Sequence, residues 1–390
     1  MLHMKHDKEL IYLDHAATSW PKPPEVLEAV MKAMQEEAAN PGRGSHQMAV
    51  KASRVLFDTR KQLAGLFKIK NPNDIAFSLN TTGALNLAIK GYLKTGDHVI
   101  ATAVEHNSVR RPLEYLKRTR GIEVAYIETD SEGHLDASRV REAIRPNTTL
   151  IVANHSSNLL GSILPIADLG DIARSHNLRL LVDAAQSAGL LDIDVRGMGI
   201  DMLAFPGHKG LLGPQGTGGL YISPEVDLEP HMHGGTGSQS EAPDQPSIRP
   251  DRYEAGTQNT PGLGGLRAGV AFVREQSVSR IYEHEWQLSQ LMIEGLSRIN
   301  GVRLLGPHAG QPRTGIVSFL VGQADPSETA FILDQHYGIA VRSGFHCTPQ
   351  AHQCAGTSDT GAVRASVGCF TTKEEVEALV SAVREISLHY

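Results

Sequence analysis

Residues 180–219 read LLVDAAQSAG (180–189), then DMLAFPGHKGLLGP (201–214), then QGTGG (215–219). The apolar run Leu178–Asp183 has strand character and delivers Asp183 at its carboxyl end, with Gln186 three residues on. A second short run, Met202–Phe205, leads directly into Pro206-Gly207-His208-Lys209-Gly210. Lys209 therefore sits in a glycine-flanked turn, where backbone can approach a ligand closely. Short apolar strands that end in polar turns are the mark of a parallel sheet covered on both faces, whose sites lie at the carboxyl ends of its strands.

The same alternation continues outward. Strands are expected at Ile75–Leu79, His98–Ala101, Glu123–Ile127, Leu150–Asn154 and Gly219–Ile222, with helices at Ala84–Tyr92, Ser108–Arg120 and Ile166–His176. The stretch His231–Pro250 is crowded with Gly, Ser, Pro and Gln and reads as a loop near a site or a subunit contact. Beyond it, Gly264–Asn300 reads as one or two long helices, and Val302–Tyr390 mixes short strands with helices at Ser327–His336 and Lys373–Leu388. The expected fold is α/β, a mostly parallel central sheet with helices on both faces plus a smaller α+β carboxyl-terminal domain. The expected division is a large domain over residues 21–260 and a small one built from residues 1–20 and 261–390.

Composition excludes other classes. The chain has 390 residues, long enough for more than one lobe. With 41% hydrophobic and 21% charged residues it is globular, not disordered. A net charge of −6 without a basic block gives no support for nucleic-acid binding. Met1–Glu9 is polar and no run of about 18 apolar residues occurs, so neither a secretory signal nor a membrane span is expected, and the expected location is cytoplasmic. Three cysteines cannot form a complete disulfide framework.

A lysine in a tight turn and a strand-ending carboxylate are what pyridoxal 5'-phosphate requires. The lysine amine bonds the aldehyde, and the carboxylate keeps the pyridine nitrogen protonated so that the ring can withdraw electrons. Either residue alone is more often a surface lysine or an ordinary strand end; Asp183-x-x-Gln186 followed by Gly207-His208-Lys209 reverses those odds. In Gly338–Pro349, GIAVRSGFHCTP, Cys347 follows His346 on a glycine-containing loop, a setting in which a thiol can reach a substrate. The rival reading of Cys347 is a buried, inert cysteine. A metal site through His346, Cys347, His352 and Cys354 has suitable ligand types but would consume the thiol, and none is expected.

From Tyr12-Leu-Asp-His-Ala-Ala-Thr18 to Arg364-Ala-Ser366 the motifs resemble those of the class V aminotransferase family of fold-type I pyridoxal-phosphate enzymes. Within it the chain is similar to the cysteine desulfurases, in the group that includes SufS-type and selenocysteine-lyase-like enzymes. The resemblance implies Lys209 as the cofactor-bonding lysine, Asp183 as the partner of the ring nitrogen and Gln186 on the phenolic oxygen. It implies His106 of Glu105-His106-Asn107 against the ring face, as a catalytic residue. Thr81, Thr82 and His208 would contact the phosphate, and Thr257 of Arg252–Thr257 would reach it from a neighbouring subunit, hence a homodimer with shared sites. RSGFHC resembles the motif whose cysteine, here Cys347, takes sulfur as a persulfide. Arg364 would clamp the substrate carboxylate, with Arg342 at the entrance, Asn158 shared between cofactor and substrate, and His46 of Arg43–His46 in the pocket. The 234–237 glycines would form a substrate-side loop.

The implied activity is a sulfurtransferase: L-cysteine becomes L-alanine and its sulfur passes to Cys347 and then to an acceptor protein. The alternatives are a selenocysteine lyase or another activity of the same family. One position departs from the family pattern. Pro206 stands where a Ser or Thr usually offers a hydroxyl to the phosphate, which implies weaker cofactor retention or compensation by Thr82, His208 and Thr257.

Overall fold

The computed structural model describes residues 10–37, 39–42, 44 and 46–390. Met1–Glu9 lies outside the described residues, as do Arg43 and Ser45 of the proposed pocket loop. The chain opens with β1 (Ile11–Tyr12), α1 (Pro24–Glu36) and α2 (Gln47–Leu66). There follow β2 (Ile75–Ser78), α3 (Thr81–Tyr92), β3 (His98–Thr102), α4 (Asn107–Arg120), β4 (Glu123–Ile127) and α5 (Ala137–Glu142). Next come β5 (Thr148–Asn154), α6 (Ile166–Ser175), β6 (Arg179–Asp183), β7 (Met202–Pro206) and β8 (Gly218–Ile222).

These strands form one seven-stranded sheet in the order β2-β8-β7-β6-β5-β3-β4. From β7 to β4 every pairing is parallel, while β8 runs antiparallel to both its neighbours. β3 and β7 are buried along their whole length and β5 at all but Thr149, as a sheet covered on both faces demands. One face packs on Leu63, Phe67, Ile151, Leu180, Leu203 and Phe205, the other on Leu85, Ile89, Leu113, Val152 and Leu181. The mostly parallel sheet with helices around it is the architecture expected from the strand pattern.

The remainder comprises α7 (Thr260–Gln276), α8 (Val278–Ser297), β9 (Val302–Leu305), β10 (Ile316–Val321), α9 (Pro326–Tyr337), β11 (Ile339–Ala340), β12 (Arg342–Gly344), α10 (Pro349–Cys354), β13 (Ala362–Ser366) and α11 (Lys373–Ser387). Strands β12-β13-β10-β9 make an antiparallel four-stranded sheet with its own core around Val317, Phe319, Val363 and Leu379. β1 pairs with β11, so the amino-terminal segment belongs to this second body. The helical stretch after residue 260 is two helices, separated at Ser277, whose φ of 73° ends α7 while its hydroxyl caps α8. Helix α7 packs Leu263, Leu266 and Val270 into the core of the large sheet, although the sequence reading grouped it with the smaller domain.

Candidate active site

Four neighbouring parallel strands end at one edge of the sheet. β3 leads to Glu105 and His106, β5 to Asn154 and Asn158, β6 ends on Asp183, and β7 runs into His208 and Lys209. Register places Asn154 beside Asp183 and Asp183 beside Ala204. The turns after β6 and β7 press together: a Cβ on Gly210 would stand 2.5 Å from the Ala188 carbonyl oxygen, so only glycine fits. The result is a cavity of about 110 Å³ lined by Thr81, Thr82, His106, Asn158, Asp183, Gln186, His208 and Lys209. All eight are residues singled out in the sequence. Asn80, Ser108, Asn154 and Ser156 line it too and were not. Asn80 carried a readable signal, since it caps α3 by accepting the Gly83 N–H at 2.9 Å.

Burial and the neighbouring Arg364 and Arg342 guanidiniums pull the Lys209 ammonium below its ordinary range, opposed by Asp183. Burial pushes the Asp183 carboxyl upward, opposed by the Ala185 N–H, which donates to Oδ1 at 2.9 Å, and by Lys209. His106 and His208 are each held down to about 4, first by burial and then by Lys209, so both imidazoles are neutral at pH 7. His106 caps α4, and a chain of contacts runs from Thr82 Oγ1 to Ser108 Oγ (2.8 Å) to His106 Nδ1 (2.9 Å). His208 is steadied by Thr18 Oγ1 at 3.1 Å. Gln186 Nε2 donates to the Ala16 carbonyl at 3.1 Å.

The other expected residues stand around this cavity without lining it. Arg364, 1% exposed on β13, donates from Nη1 to the Asn158 carbonyl and from Nη2 to Asp14 Oδ1, each at 2.9 Å. Arg342 faces it across the β12–β13 pair. Cys347 is a free, exposed thiol, and its carbonyl accepts the Asn107 N–H at 2.8 Å, next door to His106. His46 is exposed and caps α2 by accepting the Ala49 N–H, and Thr257 is exposed outside the cavity. Gly234, Gly235 and Thr236 border a separate open cleft with Glu229 and Arg252. Pro206 closes β7, and the next residue, Gly207, donates its N–H to the Thr217 carbonyl at 2.8 Å.

Two acids escaped the sequence reading. Glu105 is fully buried and pushed up to about 8; its Oε1 accepts from Thr102 and from the Asn154 N–H, while its Oε2 has no partner. Glu285 lies in a second cavity, about 50 Å³, on the far side of Lys209 with His15 and Cys369, and burial pushes it up to about 8.

The residues present fit a phosphorylated pyridine aldehyde. An amine with a depressed proton affinity faces a buried carboxyl, hydroxyls and helix N–H groups gather at the α3 amino terminus, and the buried Asn158 Oδ1 and Asn154 Oδ1 point to no protein donor.

Comparison with known proteins agrees with this chemistry. The profile of the family Aminotransferase class-V matches residues 11–379. The chain is 36% identical to a probable cysteine desulfurase of Methanothermobacter thermautotrophicus, over 97% of this chain and 95% of that protein. It is similar to the apo structure of a cysteine desulfurase from Thermococcus onnurineus, with a TM-score of 0.92 and 35% identity over 98% of this chain and 95% of that one. It is also similar to the cysteine desulfurase CsdA of Escherichia coli, solved in an S-sulfonic acid form, with a TM-score of 0.88 and 28% identity over 97% and 95%.

Proposed function

The chain belongs to the aminotransferase class-V family, and from that premise we propose that it is a cysteine desulfurase whose cofactor is pyridoxal 5'-phosphate and whose nucleophile is Cys347. The observation that carries the reading is the convergence of Lys209, Asp183 and His106 on one cavity, with the Cys347 loop tied to the residue after His106.

When bound, the cofactor supplies an aldehyde for the lysine and a ring that draws electrons from the substrate Cα. Lys209 would bond it, Asp183 would hold the proton on its ring nitrogen, and Gln186 would face its phenolic oxygen. The neutral His106 would cover the ring, and Thr81, Thr82 and His208 would hold the phosphate. Arg364, with Asn158 and Arg342 beside it, would bind the α-carboxylate of L-cysteine, since a guanidinium matches a carboxylate bidentately. Lys209, its proton affinity lowered, takes the α-proton. The Cys347 thiolate attacks the substrate sulfur: an S–S bond forms, the substrate C–S bond breaks with its electron pair left on the β-carbon, and protonation of that carbon with return of the α-proton gives L-alanine and a Cys347 persulfide. The exposure of Cys347 suits onward transfer of that sulfur to a protein acceptor.

A second copy of the chain completes the reading. Thr257 lies outside its own cavity, and Leu27, Met31 and Met34 on α1 with Met48, Val50 and Phe57 on α2 leave an exposed apolar surface. We place Thr257 at the phosphate of the partner's site and His46 near the shared entrance. The cysteines are free, which suits a reducing compartment, and among the described residues no helix is long and apolar enough to cross a membrane.

The test is incubation of the cofactor-loaded protein with L-cysteine and a reductant, measuring alanine and sulfide, with L-selenocysteine in parallel. Cys347→Ala should abolish alanine formation while cofactor absorbance persists. Undiminished turnover by that variant would remove Cys347 from the mechanism.

A further inference from the structure

The nucleophile loop is held in a conformation its own sequence does not favour. His346 and Cys347 have φ of 50° and 58°, two consecutive left-handed residues neither of which is glycine. Each costs roughly 1–2 kcal/mol, so the pair persists only where its surroundings over-determine it. Three consecutive residues supply the restraint. The His346 carbonyl accepts from Asn158 Nδ2 at 2.7 Å, and the Cys347 carbonyl accepts from the Asn107 N–H at 2.8 Å. Thr348, fully buried, donates its hydroxyl to the Glu105 carbonyl at 3.1 Å, and its N–H closes a turn on Phe345 at 3.0 Å.

The origin of these tethers matters. The loop is strung between β12 and α10, yet two of its three anchors are backbone groups of residues 105 and 107, which flank His106. The Asn107 N–H opens α4 and has no partner within the helix, so the Cys347 carbonyl satisfies a donor that would otherwise be free. The 104–107 turn is itself fixed from behind, because Asn154 Nδ2 donates to the Val104 carbonyl at 2.8 Å. The position of the Cys347 thiol is thus set by the turn that carries His106 into the cavity. Of the three anchors, the Thr348 hydroxyl is the only side-chain group that the loop itself contributes.

We propose that Thr348 is a positioning residue that latches the Cys347 loop to the His106 turn, fixing where the thiol meets the substrate sulfur. This rests on the reading of Cys347 as the nucleophile. Without the hydroxyl, the Glu105 carbonyl loses its buried donor and the left-handed pair loses one of its restraints. The thiol then samples a wider range of positions, although no group proposed to bind cofactor or substrate has changed.

The test uses Thr348→Val, which keeps the shape and removes the hydroxyl, and Thr348→Ser, which restores it. In the cofactor-free protein, the rate of Cys347 alkylation, mapped by mass spectrometry, should rise several-fold in the Val variant and return close to wild type in the Ser variant. In the loaded enzyme, kcat for alanine formation should fall about tenfold in the Val variant with KM changed less than about twofold, and Ser should restore it. A Val variant with wild-type alkylation would overturn the latch, as would a Ser variant as impaired as Val. Failure of the nucleophile assignment shows separately, as alanine formation that survives Cys347→Ala.

Discussion

Arg364 is bound to Asp14 through Nη2 and Oδ1 at 2.9 Å, in a pairing that joins the amino-terminal segment to β13 across 350 positions of sequence. The guanidinium proposed to receive the substrate carboxylate is therefore already facing one. Burial, and to a smaller extent the neighbouring Arg342, lowers the proton affinity of Arg364, and Asp14 is the largest influence in the opposite direction. Asp14 thus keeps a buried cation charged and also competes with the ligand for it.

Replacing Asp14 by Asn separates these two effects. The competing charge goes, so KM for L-cysteine should fall, by about threefold to tenfold. The buried guanidinium also loses its counter-charge, so the protein without substrate should be less stable by on the order of 1–3 kcal/mol, below the value for a wholly buried pair because Asp14 is partly exposed. Steady-state kinetics and denaturant melts read the two effects independently. A KM that rises would mean that Asp14 orients Arg364 for the substrate and does not compete with it.

The buried pair Lys209 and Asp183 makes a signed prediction for the cofactor-free protein. Asp183 favours the charged Lys209, and Arg364 disfavours it. Asp183→Asn should therefore move the midpoint for acylation of Lys209 to lower pH, and Arg364→Gln should move it to higher pH. The measurement is the pH dependence of labelling at Lys209, mapped by peptide mass. Shifts of the same sign in both variants would contradict the electrostatic account.

The large sheet was legible in the sequence because its strands are short, mostly apolar and punctuated. The runs read at Glu123–Ile127 and Met202–Phe205 reappear as β4 and β7 with at most one residue added. The residues around Lys209 were legible for a related reason: each stands at a strand end or in the turn after it, so sequence order maps onto spatial order along the sheet edge. What could not be read depends on contacts between distant segments. Asp14 meets Arg364 only because β1 pairs with β11 and so folds the amino terminus onto the second sheet. Glu105 had no reading of its own beside His106, and only the packing of β5 against β3 shows it buried beneath Asn154. Helices α1 and α2 were not separately anticipated; exposed Met and Leu residues on α1 blur the single apolar stripe that marks a surface helix.

Glu285 carries a pH prediction. Its ordinary value is 4.5 and burial pushes it up to about 8, so between those limits the folded chain holds a proton that the unfolded chain releases. Stability from this group is full below about pH 4.5, declines as pH climbs towards about 8 and is lost above it, by on the order of 5 kcal/mol. Glu285→Gln cannot ionise and should lose that slope, so its stability relative to wild type improves from about pH 5 to about pH 9. Urea melts of the cofactor-free proteins at both pH values decide it. Parallel pH profiles would show that the carboxyl is solvated through its cavity.

Pro206 offers the most direct test of how the cofactor phosphate is held. It ends β7 three residues before Lys209, opposite Gly218 in the β7–β8 pair, and has no hydroxyl and no N–H to offer. The cavity supplies Thr81, Thr82 and His208 in its place, with Thr82 engaged by Ser108 and His208 by Thr18. Because Thr82 and His208 already have protein partners, the phosphate should be held with one charge-assisted hydrogen bond fewer than a hydroxyl at 206 would allow. Pro206→Ser should slow cofactor loss by about fivefold to thirtyfold, followed as the decay of its visible absorbance on dialysis at fixed pH. Thr82→Val should speed that loss. If Pro206→Ser leaves the rate unchanged while Thr82→Val raises it, the α3 amino terminus holds the phosphate without help from β7, and the proline costs the site nothing.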